Sequence, residues 1–132
     1  MPQLANIVVK ADNGTTDVQY TGIQGSSGPG PAIWRNQASG TALEHRPEFR
    51  VKVPDTIKGG KRAVMVSMSF PELATNSTTG ITSVINKAWF DGTFSVPVAM
   101  AQLNVNEFAS QLANLIASTM VKTIVKDGAN AS

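Results

Sequence analysis

The sequence predicts an α+β fold in which an antiparallel β-sheet comes first and α-helices follow. Two stretches, 48–53 and 63–70, alternate with a period of two residues, as strands with one buried face do. After residue 104 the spacing of apolar residues changes to that of a helix. Of the 132 residues, 42% are hydrophobic and 15% are charged, a globular composition at a length that fits one domain.

That single domain, 1–132, divides into three parts along the chain. An N-terminal hairpin is expected at 1–21, the main sheet at 32–98 and the C-terminal helices at 104–127. The first strand, Ile7 to Lys10, leads into the tight-turn sequence Asp12-Asn13-Gly14. The chain then returns along a second strand.

The second strand is predicted from Asp17 to Tyr20 and the third from Ala32 to Arg35. Between them, Gly22 to Pro31 contains four glycines and two prolines, which indicates a loop. A later strand is expected from Ile81 or Thr82 to about Val98. It is long and lies last in the sheet, so its open edge invites pairing with a second copy of the chain.

The alternation assigns side chains to faces in the strands that follow. The inward set of the first two is Phe49, Val51, Val53, Val64, Val66, Met68 and Phe70. The outward set of the same strands is Glu48, Arg50, Lys52, Ala63, Met65, Ser67 and Ser69. In the long strand, Ala88, Phe90, Phe94 and Val96 point inward, and Lys87, Trp89, Asp91, Thr93 and Ser95 point outward.

Helical structure begins where Asn104 precedes Glu107 by three residues, which resembles a capping box. Helically spaced apolar residues follow at Phe108, Leu112, Leu115, Ile116, Met120 and Ile124. They form one long helix or two short ones that end near Gly128, and this stripe is expected to cover the apolar face of a sheet.

The residue inventory excludes most catalytic chemistry. There is no Cys, and the one His, His45, stands beside Pro47 without a nucleophile motif, so we expect it at the surface or at a strand edge. Nine scattered acidic residues do not predict a metal site. No apolar run approaches the length of a membrane span. We therefore expect no catalytic residues, metal, cofactor, small-molecule substrate or membrane partner.

Charge is concentrated in one window. Residues 46–62 hold six basic and two acidic side chains, a local net charge of +4 in a chain of net charge +2. This suits either an anionic partner such as a phosphate backbone or a solvated turn between strands.

Trp89 lies among polar residues on the outward face. It either stacks on an unpaired RNA base or is covered by a loop or another subunit.

Several segments resemble the coat proteins of single-stranded RNA bacteriophages, the leviviruses. The opening VVKADNGTTDV is similar to that family's first hairpin. GGKRAVMVSMSFPELAT resembles its fifth strand, KAWFDGTFSVPV its last strand and NEFASQLANLIAS its first helix. The similarity covers almost the whole chain in order and length. It implies an N-terminal β-hairpin, an antiparallel β-sheet and two C-terminal α-helices.

The resemblance also implies a function. Family members form interlocked dimers, which build an icosahedral shell, and the inner sheet face binds a hairpin of the genomic RNA. That binding packages the genome and represses translation of the replicase. A virion protein made in the bacterial host cytoplasm is therefore expected. The alternative is a small cellular β-sheet module that binds nucleic acid and does not assemble.

Site residues follow from the matching positions. Trp89 stands where the family has a base-stacking Tyr, Asp91 where Asn or Asp contacts RNA, and Lys61 where a residue reaches phosphate. The predicted RNA-binding set is Arg50, Lys52, Lys61, Met65, Ser67, Lys87, Trp89 and Asp91. The predicted dimer interface is Phe108, Leu112, Leu115 and Ile116.

One departure from the family concerns the pocket for an unpaired adenine. The coliphage proteins line that pocket with small hydroxyl residues, whereas the matching positions here hold Arg50, Lys52 and Met65. This predicts recognition of a different hairpin or binding mainly through charge.

Overall fold

A computed structural model describes residues 3–26, 30–40, 42–54, 57–129 and 131. The strands are β1 (Ile7–Lys10), β2 (Asp17–Gln24), β3 (Ala32–Arg35), β4 (Glu48–Lys52), β5 (Lys61–Thr75) and β6 (Thr82–Pro97). A short 3₁₀ turn, Leu43–His45, precedes β4, and the helices are α1 (Gln102–Ile116) and α2 (Thr119–Asp127). The predicted order of strands before helices is confirmed.

The six strands form one sheet in the order β1-β2-β3-β4-β5-β6. The pairs from β1 to β5 are antiparallel, and each strand pairs with the one that follows it along the chain. Gly59 and Gly60, with φ of 61° and 70°, make the turn into β5, a conformation that L-residues with a Cβ rarely adopt. Because the sheet is open, the described residues give β6 a strand neighbour on one side only.

The second strand is longer than predicted. The loop expected from Gly22 begins only after Gln24, because Gly22 pairs with Trp34 and Gln24 pairs with Ile33 across a bulge. A Cβ at Gly22 would lie 2.9 Å from Leu4 Cγ, so the small residue permits this approach. The residues 27–29 of the predicted loop lie outside the described part of the chain.

The capping box predicted at Asn104 is wrong. α1 begins two residues earlier at Gln102, and its N-cap, Ala101, has no capping side chain. Asn104 lies inside the first turn, where its backbone N–H donates to Ala101 O at 3.0 Å. Glu107 instead accepts a hydrogen bond of 2.8 Å from Gln111 Nε2. The side chain that does cap a helix is Ser118, whose Oγ accepts from Val121 N–H at the start of α2.

His45 is also placed differently from the prediction, which put it at the surface or a strand edge. Its exposed fraction is only 8%. Gly40, at φ 77°, passes so close that a Cβ there would lie 2.8 Å from His45 Cβ. The loop backbone therefore folds over the imidazole and buries it before β4 begins.

The chain divides into two compact units, Met1–Ser95 and Val96–Ser132. In the first, the buried apolar side chains among the described residues are Tyr20 and Ile33, apart from the prolines. Trp34 packs against Phe49 with ring centroids 5.8 Å apart. In the second unit neither helix buries a side chain. Both units therefore leave apolar surface uncovered.

Candidate nucleic-acid interface

One face of the sheet carries a shallow depression of about 410 Å³, which we call the sheet depression. Its lining residues come from the approach to β3 and from β4, β5 and β6. They are Pro31, Arg50, Lys52, Met65, Val66, Ser67, Asp91, Gly92 and Thr93. The volume falls within the range of sites that hold small ligands or parts of larger ones.

Strand register brings these side chains together. Arg50 lies opposite Ser67, and Lys52 lies opposite Met65. Residues directly opposite each other in an antiparallel pair point to the same face of the sheet. The outward assignment of these four residues from the period-two pattern thus agrees with the register. Asp91 on β6 joins them in the depression.

Ion pairs with Glu48 orient the side chain of Arg50 in the depression. Arg50 donates to Glu48 Oε1 from Nε at 2.9 Å, and its Nη2 lies 2.8 Å from the same oxygen. Arg35 Nη2, on the neighbouring strand, lies 3.5 Å from that oxygen too. The Glu48 side chain is only 18% exposed, so water screens these contacts less than it would at a free surface. The guanidinium of Arg50 is thereby held in one orientation.

Three of the predicted RNA-binding residues do not line the depression. Lys61, at the start of β5, and Lys87, on β6, are exposed elsewhere. Trp89 lies two residues before Asp91 on β6, hence on the same face by alternation, and is 76% exposed. The remaining five, Arg50, Lys52, Met65, Ser67 and Asp91, line the depression.

Sequence reasoning missed several residues at this site. Thr93 shares the outward phase of Asp91, so the alternation could have added it. Glu48 also shares a phase with Arg50, but its contact with Arg35 depends on the pairing of β3 with β4. No sequence pattern predicted that Pro31 would reach the same depression.

The predicted dimer residues lie on α1. Phe108, Leu115 and Ile116 are 40%, 61% and 49% exposed, and Leu112 is half-buried. They occupy positions i, i+4, i+7 and i+8 and so share one face of the helix. That face is apolar and largely exposed.

Neither a cluster of metal-ligating side chains nor a membrane-spanning helix occurs in the part of the chain that the structure describes. No group of three or more His, Cys, Asp or Glu residues there could hold a metal ion. Of the helices described, none has the length and apolar character to cross a membrane. The described residues thus combine a polar sheet face with apolar helix faces that are largely exposed.

Comparison with known proteins identifies the family. The family model for levivirus coat protein matches residues 2–131, so the chain belongs to the levivirus coat protein family. It is therefore a structural capsid protein rather than an enzyme. No curated protein sequence matches it.

Solved structures share the fold. A virus-like particle of bacteriophage NT-214 has a TM-score of 0.83 at 21% identity, covering 99% of this chain and 100% of that one. A virus-like particle of Beihai levi-like virus 21 gives 0.82 at 14% identity and covers 99% of both chains. The bacteriophage GA capsid protein gives 0.77 at 15% identity and covers 96% of both. The α+β fold predicted from the sequence is confirmed.

Proposed function

We propose that this coat protein forms interlocked homodimers, which close into an icosahedral shell and bind a hairpin of the phage genomic RNA on the inner sheet face. That binding packages the genome and represses translation of the replicase. The protein is made in the cytoplasm of the bacterial host and ends in the virion. The single observation that carries the RNA proposal is a depression that gathers Arg50, Lys52 and Asp91 on the face of Trp89.

Pairing through β6 supports the dimer. This strand has 16 residues and lies at the edge of the sheet, so one row of its backbone N–H and C=O groups has no strand partner among the described residues. Long open edges pair readily with another strand. A second copy offers the same edge, and a two-fold axis would join the two sheets into one continuous surface.

The helices give a second reason for a dimer. The α1 face of Phe108, Leu112, Leu115 and Ile116 is apolar, and an apolar helix face must be covered to stabilise a fold. Met120 and Val125 on α2 are 68% and 77% exposed. Contact of these faces with a partner subunit would remove them from water.

The sheet face suits RNA rather than a neutral ligand. Lys52 in the depression attracts phosphate, Arg50 offers N–H donors, and Trp89 offers a π surface to an unpaired base. The virus-like particles of bacteriophage NT-214 and of Beihai levi-like virus 21 have the same fold, which supports assembly into a shell.

The test has two parts. The purified protein should appear in electron micrographs as closed particles of megadalton size and should contain RNA. Unassembled protein should retain the hairpin at the replicase start of its own genome on a filter far better than a hairpin of the same length with a shuffled sequence. A species that stays a monomer or dimer at all concentrations contradicts the shell and favours a binding module. Equal retention of both hairpins contradicts specific repression.

A further inference from the structure

The sheet depression contains charges of both signs, and attraction for phosphate explains only the positive ones. It holds the cations Arg50 and Lys52, but it also holds the carboxylate of Asp91. Among the residues that the structure describes, Asp91 makes no hydrogen bond or ion pair. A carboxylate repels phosphate, so a ligand that both donates and accepts hydrogen bonds suits this depression better than a phosphate group does.

From this juxtaposition we propose that the sheet depression binds an unpaired guanine of the RNA, an inference that rests on the proposed RNA-binding function. Guanine has two adjacent acceptors, O6 and N7, on one edge and two adjacent donors, N1–H and N2–H, on another. Arginine or lysine paired with O6 and N7 is the commonest specific contact to this base. A carboxylate accepts from the two donors. No other RNA base carries both adjacent pairs.

Arg50 has the donors that this role needs. A guanidinium carries five N–H groups, and the contacts of Nε and Nη2 with Glu48 occupy two of them. Three remain for a ligand, and two suffice for O6 and N7. Because Glu48 also neutralises much of its charge, Arg50 is better suited to reading a base edge than to attracting phosphate. Glu48 is thus a positioning residue for Arg50.

The remaining lining fits a flat ring. Met65 contributes a thioether, which makes favourable contacts with aromatic rings, and it is 41% exposed at the depression. Ser67, opposite Arg50, adds a hydroxyl that can donate or accept. Adenine would bring its N6 amino donors toward the donors of Arg50 and its ring acceptors toward the carboxylate of Asp91. The depression therefore discriminates against adenine.

The experiment uses five RNA hairpins with the same stem and the same loop of uridines. Four carry one bulged base, G, A, C or U, and the fifth has no bulge. Filter-binding titrations with the unassembled full-length protein should show the G-bulged hairpin bound at least tenfold more tightly than the other four. The isosteric variant Asp91→Asn should lose about tenfold for the G bulge and gain affinity for the A bulge, because an amide pairs with adenine N6 and N7. Asp127→Asn on α2 changes the same charge and should leave the preference intact.

Each outcome bears on the inference. If the G bulge binds no better than the A bulge, or if Asp91→Asn keeps the guanine preference, the guanine assignment is wrong. If all five hairpins bind alike and Trp89→Ala weakens all of them, the assignment fails while the RNA-binding function stands. If no hairpin binds, both fail. A shift of preference from G to A in Asp91→Asn supports the assignment and is not expected from loss of folding.

Discussion

Arg50 and Glu48 stand two residues apart on β4 and point to the same face, where Arg50 Nη2 lies 2.8 Å from Glu48 Oε1. Glu48 offsets the charge of Arg50, one of the basic residues in 46–62, and fixes the direction of its N–H donors. Arg35 approaches the same carboxylate oxygen at 3.5 Å from the neighbouring strand. One acidic residue, Glu48, therefore faces two basic ones, and one of these, Arg50, lines the sheet depression.

Glu48→Gln should change binding and stability in opposite directions. Losing the anion frees Arg50 to attract phosphate, so all hairpins should bind severalfold more tightly at low salt and the base preference should shrink. Arg35, whose side chain is 19% exposed, loses its partner, which should cost about 1–2 kcal/mol in unfolding free energy. Filter binding and denaturant unfolding measure both. Glu44→Gln, at a carboxylate with 76% exposure, is the matched control. Equal effects of the two variants would contradict the role of Glu48.

Trp89→Ala should weaken binding to the cognate hairpin about tenfold or more, because stacking contributes on the order of 1–3 kcal/mol per base. Particles should still form, since Trp89 is 76% exposed in the chain. The readout is a filter-binding titration beside electron microscopy. Trp89→Phe keeps an aromatic surface and should retain most of the affinity. If Trp89→Ala binds as tightly as the wild type, Trp89 is a packing residue.

Lys52→Ala and Lys61→Ala should weaken the binding of every RNA to a similar degree. Each lysine that meets a phosphate releases about one counterion, so each change should flatten the plot of log affinity against log salt by roughly one unit. The measurement is a titration of two unrelated hairpins at four salt concentrations. Lys122→Ala, at an exposed lysine of α2, serves as the control. An unchanged slope for Lys52→Ala would remove it from the phosphate contacts.

Leu112→Ala combined with Leu115→Ala should abolish assembly. Truncation of a leucine buried at an interface costs roughly 2–5 kcal/mol, and folding of an interlocked dimer is coupled to association. Size-exclusion chromatography should show aggregated or unassembled protein. Asn114→Ala, at an exposed position of the same helix, should assemble normally. A soluble, well-folded monomer of the double variant would contradict the interlocked dimer.

Because Tyr20 is buried, the free energy of unfolding should decrease at alkaline pH. Burial raises the pKa of its phenol in the folded chain above the ordinary value, so the unfolded chain ionises first as pH rises through about 10. Stability present below that pH is therefore lost above it. Tyr20→Phe cannot ionise, so its denaturation midpoint should fall less between pH 9 and 11 than that of the wild type. At pH 7 the two midpoints should be close. Parallel curves over the whole range would contradict this assignment.

Much of the fold followed from local patterns. The alternation of Arg50 and Lys52 with Phe49 and Val51 placed the polar side chains of β4 on one face, and the register with β5 agrees. Such patterns are reliable because the side chains of a strand alternate whatever its neighbours are. Helix starts depend on weaker local terms, and Asn104 did not become the cap of α1.

The sequence by itself therefore determined the order of the elements, the faces of the paired residues in β4 and β5, and the concentration of positive charge around them. Only the tertiary structure decided which side chains meet. Asp91 joins Arg50 in one depression, and Arg35 reaches Glu48, because hydrogen bonds between strands fix the register. Alternation assigns a residue to a face, but its neighbour across the sheet comes from a distant part of the chain, and a slip of register would exchange that neighbour for another.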